Sequence, residues 1–366
     1  MHAYQAVSPW TVDPVLLRRG GPVVVPRERA PLARLLPYRR ASGEPPTPTG
    51  KASTVARCGW RVNLGAGGLG DALLALALVQ ALVDGTAYDG ELRYQGPHGS
   101  LMRRCRLPLR HRVGPGTHAV DTGRASAARR FTFDAVPECP HARLDLLGGD
   151  LVEIHAALPM RYYLDVEQFL GVRLPADRAP LPTFRSGEQA RPFHVVFVSA
   201  TSWPGRKDYG AARFARVAQV LAGALAAPWS FTLVTGATPE SEPEALDGVE
   251  ILAGPDAVDC LDVFSSAQVV IGNDTGLTHL AALTERADGS GPEVIGLYGR
   301  HAHTKWTTGN ARHHAVATPF SQMLALADRC PVRDDLDDLV WSDSAGLAGI
   351  PAKLIAGFAR ELAGWG

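Results

Sequence analysis

The sequence lacks the features that mark most specialised protein classes. Cysteine occurs five times in 366 residues, at Cys58, Cys105, Cys139, Cys260 and Cys330, with no CxxC pair. Neither a disulfide framework nor a cysteine zinc site is expected, and a reducing, cytoplasmic setting fits best. There is no excess of charge of either sign, since 37 Lys+Arg balance 37 Asp+Glu. This removes the basic footprint of a nucleic-acid partner. There is no long hydrophobic run either. The longest, Ala72 to Val83, is broken by Gln80 and falls short of the ~20 residues that cross a bilayer. It reads as a buried helix, and no transmembrane segment is expected. Val15-Leu16-Leu17 and Val23-Val24-Val25 are too brief for a signal peptide's apolar region, and no small-residue cleavage pattern follows them.

What the chain does have is a large apolar share, 46%, on a length that exceeds what one hydrophobic core usually serves, so two domains with a cleft are expected. The first 50 residues hold nine of the 28 prolines and lack a sustained period, which predicts an arm over 1–50. The stretch from Gly171 to Arg191 is rich in proline and reads as an interdomain linker, with the boundary near residue 185. The domains expected are 51–185 and 186–345, with a C-terminal helix in 346–366. Charge is uneven between the halves: residues 1–185 hold 24 Lys+Arg against 16 Asp+Glu, and the remainder 13 against 21. The basic half could steer an anionic acceptor or simply form a solvated surface.

The order of elements is that of an α/β protein. Trp60 to Leu64 predicts a strand, Gly65 to Gly70 a glycine loop, and the apolar stretch from about Asp71 a helix. Further strands are expected at 92–95, 119–121, 131–133 and 151–155, and a helix at 161–171. Beyond residue 185, apolar strands at 195–198, 231–234, 269–271 and 294–298 alternate with helices at 209–226, 260–267 and 277–283. A last helix is expected at 352–362. Continuous apolar strands alternating with helices indicate a parallel sheet covered on both faces. Such lobes bind ligands at the carboxyl ends of their strands.

The most informative segment is Val269-Val270-Ile271-Gly272-Asn273-Asp274-Thr275-Gly276-Leu277-Thr278-His279-Leu280-Ala281-Ala282-Leu283. A buried strand ends, residues suited to capping follow, a glycine permits close approach to the backbone, and a helix begins. Its unpaired amides and dipole suit phosphate oxygens, with the Thr275 hydroxyl beside them. An ordinary capped helix with His279 packed inward is the equal alternative on physical grounds.

Asp274-Thr275-Gly276-Leu277-Thr278-His279-Leu280-Ala281-Ala282 resembles the signature of the heptosyltransferase-type glycosyltransferases, family nine. Gly70-Asp71 resembles that family's Gly-Asp element, and Lys207 after Ser199-Ala200-Thr201 resembles its strand-loop-lysine element. Glu240 and Leu252 are similar to positions that meet the ribose and line the base pocket. The similarity covers roughly residues 58–330. It implies the GT-B fold: two Rossmann-like parallel-sheet lobes facing each other across a cleft. The donor implied is a nucleoside-diphosphate sugar, gripped by Thr201, Lys207, Asp274, Thr275 and Gly276. Gly70, His279, His301 and His303 are expected to contact sugar or acceptor. The sequence departs from the family at Gly299-Arg300-His301-Ala302-His303 and in the longer loop Arg286 to Gly291, both expected near the cleft. His301 and His303 alone lack the further ligands that zinc needs. The acidic run Asp334, Asp335, Asp337 and Asp338 reads as a solvated turn and helix cap, so no metal and no cofactor is expected.

Gly65-Ala66-Gly67-Gly68-Leu69-Gly70 also satisfies GxGxxG, which makes an NAD(P)-dependent oxidoreductase the rival class. Against it, the next strand ends in Gln95-Gly96-Pro97 without the acid that takes ribose hydroxyls. Asp71 would also set a carboxylate against the pyrophosphate. Asp71 is better placed as a base for an acceptor hydroxyl, its charge favoured by the helix terminus. With Lys207 and the helix amides on the leaving group, this predicts an inverting, metal-independent transfer. The acceptor is a small molecule or a glycan. A small natural product such as an aminoglycoside or glycopeptide precursor, made in antibiotic biosynthesis, is the leading expectation and a lipopolysaccharide-type acceptor the alternative.

Overall fold

The structure, a computed structural model, describes residues 23–25, 50–65, 68–112, 118–123, 130–135, 143–145, 151–153, 157–172, 174, 180–236, 246–327 and 345–365. The elements through the first half are β1 (Val23–Val25), α1 (Gly50–Cys58), β2 (Trp60–Asn63), α2 (Leu69–Thr86), β3 (Leu92–Gln95), α3 (Gly99–Met102), β4 (Leu109–Arg112), β5 (Ala119–Asp121), β6 (Phe131–Asp134), β7 (Arg143–Asp145), β8 (Leu151–Glu153) and α4 (Leu158–Leu170). Those of the second half are β9 (Phe184–Arg185), β10 (His194–Val198), α5 (Ala211–Ala224), β11 (Ser230–Thr235), β12 (Val249–Ala253), α6 (Ala257–Ser266), β13 (Val269–Asn273), α7 (Gly276–Leu283), β14 (Thr284–Glu285), β15 (Glu293–Tyr298), α8 (His303–Trp306), β16 (His313–Ala317), α9 (Pro319–Ala327) and α10 (Ala352–Leu362). The chain divides into two compact units. The first comprises residues up to Phe184 together with Thr308–Asn310, and the second comprises Arg185–Thr307 and Ala311 onward with strand β1.

The first unit holds a five-stranded sheet in the order β4-β3-β5-β2-β6. β2 and β6 are parallel, as are β3 and β4, whereas β5 runs antiparallel to both β2 and β3. The sequence reading expected only parallel neighbours. Six residues separate Arg112 from Ala119, fewer than the dozen or so that a parallel crossover requires, and this forces β5 to reverse. Helix α2 is apolar on every side, and Leu73, Leu74, Leu76, Val79 and Leu82 are all fully buried. By length and composition it is the one helix among the described residues that could cross a membrane, yet 67% of it lies inside the unit. That is the pattern of a central core helix. Helix α4 packs on it, and the Tyr163 hydroxyl donates to Asp84 Oδ2 at 2.9 Å. Gly171, with φ 66°, closes α4 in the left-handed conformation that glycine adopts without strain.

The second unit is built on a seven-stranded sheet, β1-β16-β15-β13-β10-β11-β12, parallel except for the antiparallel edge strand β1. Strands β10, β13 and β16 are buried at every position, which requires both faces to be covered. Helices α5 and α10 cover the face that carries Val195, Phe197, Val269 and Ile271, through Phe214, Val217, Leu221, Ile355 and Phe358. Strands β12 and β16 escaped the sequence reading. β12 alternates only weakly in burial as an edge strand, and β16 reads His-His-Ala-Val-Ala, too polar at its start to announce a core strand. The order of strands has one functional consequence. From β10 the chain moves outward to β11 and β12, then returns to the other side of β10 as β13. The carboxyl ends of β10 and β13 therefore flank a topological switch point, where open α/β sheets take ligands.

Candidate functional site

Two loops leave that switch point, 199–208 after β10 and 274–275 after β13, and one buried amide ties them together. Asn273, the last residue of β13, is fully buried, so its amide must find partners inside the protein. Its Oδ1 accepts from the Tyr209 backbone at 3.0 Å, while Nδ2 donates to the Ser199 carbonyl and to Asp208 Oδ1, each at 3.0 Å. Both ends of the loop that carries Thr201, Trp203 and Lys207 are thus fastened to the strand end. Gly272 allows the next helix to start close by. A Cβ there would lie 2.2 Å from Thr278 Oγ1 and 2.9 Å from Val198 Cβ, and Thr278 Oγ1 itself donates to the Asn273 carbonyl at 2.7 Å.

Three side chains converge on Asp274. Lys207 Nζ is 3.1 Å and His301 Nδ1 2.8 Å from its Oδ2, and His279 Nε2 is 3.9 Å from its Oδ1. The aspartate is 7% exposed. Burial alone would raise its carboxyl pKa, but the Lys207 ammonium, then His301, then His279 outweigh burial and hold it well below the usual carboxylate range. His279 shifts for the opposite reason. Burial first, reinforced by Lys207 and His301, overcomes the pull of Asp274 and keeps its pKa down at about 4. At neutral pH the hub is an ionised carboxylate paired with a lysine, beside an uncharged buried imidazole.

Thr275 lies at the start of α7 in extended backbone, φ −143° and ψ 164°, and makes no side-chain cap. Its Oγ1 is buried without a hydrogen-bond partner, as is His279 Nδ1. Such a group costs about 1–3 kcal/mol when left unsatisfied. The first-turn amides of α7 have no intrahelical acceptors, so an unpaired hydroxyl and unpaired amides stand together beside a lysine.

The remaining expected residues fare unequally. Thr201 Oγ1 accepts from the Trp203 backbone at 3.2 Å and shapes the Lys207 loop. Asp274 was expected among the diphosphate-binding residues; its carboxylate is engaged by Lys207 and His301. Its visible task is to hold the Lys207 ammonium and the His301 ring in place. His303 is buried against Ser321, with Nδ1 3.4 Å from Ser321 Oγ. Leu252 is half-buried in the edge strand β12, paired in register with Val234. Glu240 and the run Asp334 to Asp338 lie outside the described residues. Gly70 and Asp71 occupy the first turn of α2 in the first unit, behind the extended residue Gly68. In the loop from Arg286, where the sequence departs from the family pattern, Arg286 is 6% exposed and donates to the Ser265 and Ala267 carbonyls at 2.7 and 2.6 Å. Sequence reading missed the Asn273 knot, because its partners are 64 to 74 positions away. It also missed Trp203, the one large apolar side chain exposed among the described residues, with Lys207 Nζ 5.4 Å and the Arg300 guanidinium 5.3 Å from its ring centre.

The fold and the hub define a class: an α/β protein of GT-B type with an anion-receptive helix start at the switch point of its second sheet. Residues 156–333 match glycosyltransferase family 9 (heptosyltransferase), so that stretch of the chain is heptosyltransferase-like. Nothing among curated proteins matches it. Among solved structures it is similar to the family 9 glycosyl transferase from Veillonella parvula, at 13% identity and TM-score 0.52, over 83% of this chain and 97% of that one. It is also similar to E. coli heptosyltransferase WaaC with ADP, at 16% identity and TM-score 0.37 over 57% of each chain, so it spans little more than half of WaaC. The iron-containing dodecameric glycosyltransferase TibC of enterotoxigenic E. coli is similar at 13% identity and TM-score 0.44, over 82% of this chain and 77% of that one. At these identities the Veillonella structure speaks for the fold, and the other two carry no further argument.

Proposed function

We propose that this protein transfers a sugar from a nucleoside-diphosphate sugar to an acceptor hydroxyl, with inversion and without a divalent ion. The observation that carries this reading is the buried, unpartnered Thr275 hydroxyl at the start of α7, set beside Lys207 and the helix amides. Diphosphate oxygens accept hydrogen bonds from every one of those groups. Preorganised donors of this kind stabilise the charge that grows on a leaving phosphate as the sugar becomes oxocarbenium-like. In the reaction the C1–O bond breaks with its electron pair passing to the β-phosphate, the acceptor oxygen bonds to C1, and the acceptor proton passes to a carboxylate. Asp71, in the first turn of α2, is assigned as that base.

The acceptor is assigned as a small natural product. The departure from the family pattern at Gly299 to His303, and a composition rich in Ala, Arg, Gly and Pro, motivate this assignment. A lipopolysaccharide-type acceptor is the alternative, and turnover confined to such a core would select it. The test of the donor site is titration calorimetry with nucleoside diphosphates. Lys207→Ala and Thr275→Ala should each weaken binding by about 10-fold or more, the loss of contacts worth about 1–3 kcal/mol, and turnover should persist in excess EDTA. Unchanged affinity in both variants would remove the diphosphate from this helix start.

A further inference from the structure

The charges at the hub nearly cancel. Asp274 and Lys207 form an ion pair at 3.1 Å, and burial keeps His279 neutral. A diphosphate arriving there would meet little net positive charge from these three groups. His301 is the fourth. Its imidazole is held by contacts on three sides: Nδ1 lies 2.8 Å from Asp274 Oδ2, and the rings of Trp306 and Trp203 lie 5.3 and 6.5 Å away, centre to centre. Its backbone is pinned too, since Ser321 Oγ donates to its carbonyl at 2.6 Å and Thr318 Oγ1 to that of Gly299 at 3.0 Å. With Nδ1 given to the carboxylate, Nε2 is the nitrogen left to meet a ligand, and the side chain keeps 15% of its surface exposed.

We infer that His301 binds the leaving diphosphate through Nε2–H as an imidazolium, taking up a proton when the donor binds. The inference rests on the diphosphate reading of the α7 start and gives that site its charge. An anionic ligand beside an imidazole favours its protonated form, and Asp274 stabilises that form from the other nitrogen, as carboxylates do for histidines in catalytic dyads. The charged and titratable groups around it are Asp274, Lys207 and His279 at the hub, Arg300 over Trp203, His303 two residues on and buried at Ser321, and Lys305 over Trp306 at 5.7 Å. The imidazolium keeps its proton through the reaction. It donates a hydrogen bond to the phosphate oxygen that receives the C1–O electron pair, while the acceptor's proton goes to the base.

The experiment is calorimetry of the full chain with the tightest binder among ADP, GDP, UDP and dTDP, in two non-phosphate buffers of different ionisation enthalpy. Wild type and His301→Gln are compared, because glutamine retains a neutral donor and loses the charge. The wild type should take up a substantial fraction of a proton more than the variant, which subtracts the nucleotide's own titration. The variant should bind about 10-fold more weakly at about pH 6 and nearly normally at about pH 8.5, as expected for a lost charge-assisted hydrogen bond. Equal proton uptake and equal affinity, with Lys207→Ala still weakening binding, would overturn the role of His301 alone. If no nucleoside diphosphate binds, or Lys207→Ala and Thr275→Ala also bind normally, the diphosphate reading falls with it.

Discussion

The chain contains two junctions of the same local kind, a strand, a glycine-bearing turn and an apolar helix, one in each unit. At the first, β2 leads through Gly65 and Gly68 to α2, whose first turn carries Asp71. At the second, β13, which carries Gly272, leads through Asp274 and Thr275 to α7, whose first turn carries no acid. The positive end of a helix dipole is present at both. At α2 a carboxylate lies in the first turn, whereas at α7 the Thr275 hydroxyl is left open and Lys207 lies nearby on Asp274. The two helix starts differ in the charge placed in their first turn, and the glycine pattern alone does not reveal that difference.

The largest expected effect tests the α2 side. Asp71→Asn keeps the shape and removes the proton acceptor, so single-turnover transfer at saturating donor and acceptor should fall by roughly 100-fold or more, with donor affinity near wild type. A folded Asp71→Asn protein with near-normal turnover would leave the acid as a dipole partner, worth about 0.3–1 kcal/mol of stability.

The second prediction concerns pH and the α7 side. The folded pKa of His279 is depressed from the ordinary 6.5 of a histidine to about 4. The unfolded chain therefore binds a proton below about pH 6.5 that the native protein refuses until about pH 4. This contribution to stability is complete above about pH 6.5 and is lost as pH falls toward 4, by about 3 kcal/mol at most. Asp274, also depressed, adds its own loss only below the ordinary carboxylate range. Urea midpoints measured from about pH 7 to 4 should fall less steeply in His279→Gln than in wild type. Parallel curves would contradict the buried neutral imidazole.

The smallest effects separate the two turns by packing. Gly272→Ala drives a methyl into Thr278 and Val198 and should destabilise by about 1–3 kcal/mol, as overpacking does. Gly68 has open space within 4 Å of its Cβ position and a negative φ of −73°, so Gly68→Ala should shift stability by no more than about 0.5–1 kcal/mol. Thermal denaturation of the pair reads the difference directly. Equal shifts would mean that α7 does not sit as close to β13 as described.

Local pattern determined much of this protein by itself. The apolar runs Val195 to Val198 and Val294 to Tyr298 could only be strands covered on both faces, and the helix at 352–362 coincides with α10. The motif from Asp274 to Ala282 carried the family and the helix start, because strand ends, caps and glycines act on their own neighbours. What the sequence could not decide depended on residues far apart along the chain. The place of β5 between β2 and β3, strands separated along the chain by all of α2, was one such matter. The role of Asp274 became legible only when folding brought Lys207 from 67 positions before it and His301 from 27 after it to the same oxygen. A carboxylate's chemistry is set by what surrounds it, through burial and nearby charge that fall off within a few ångströms. Those distances exist only in the tertiary structure.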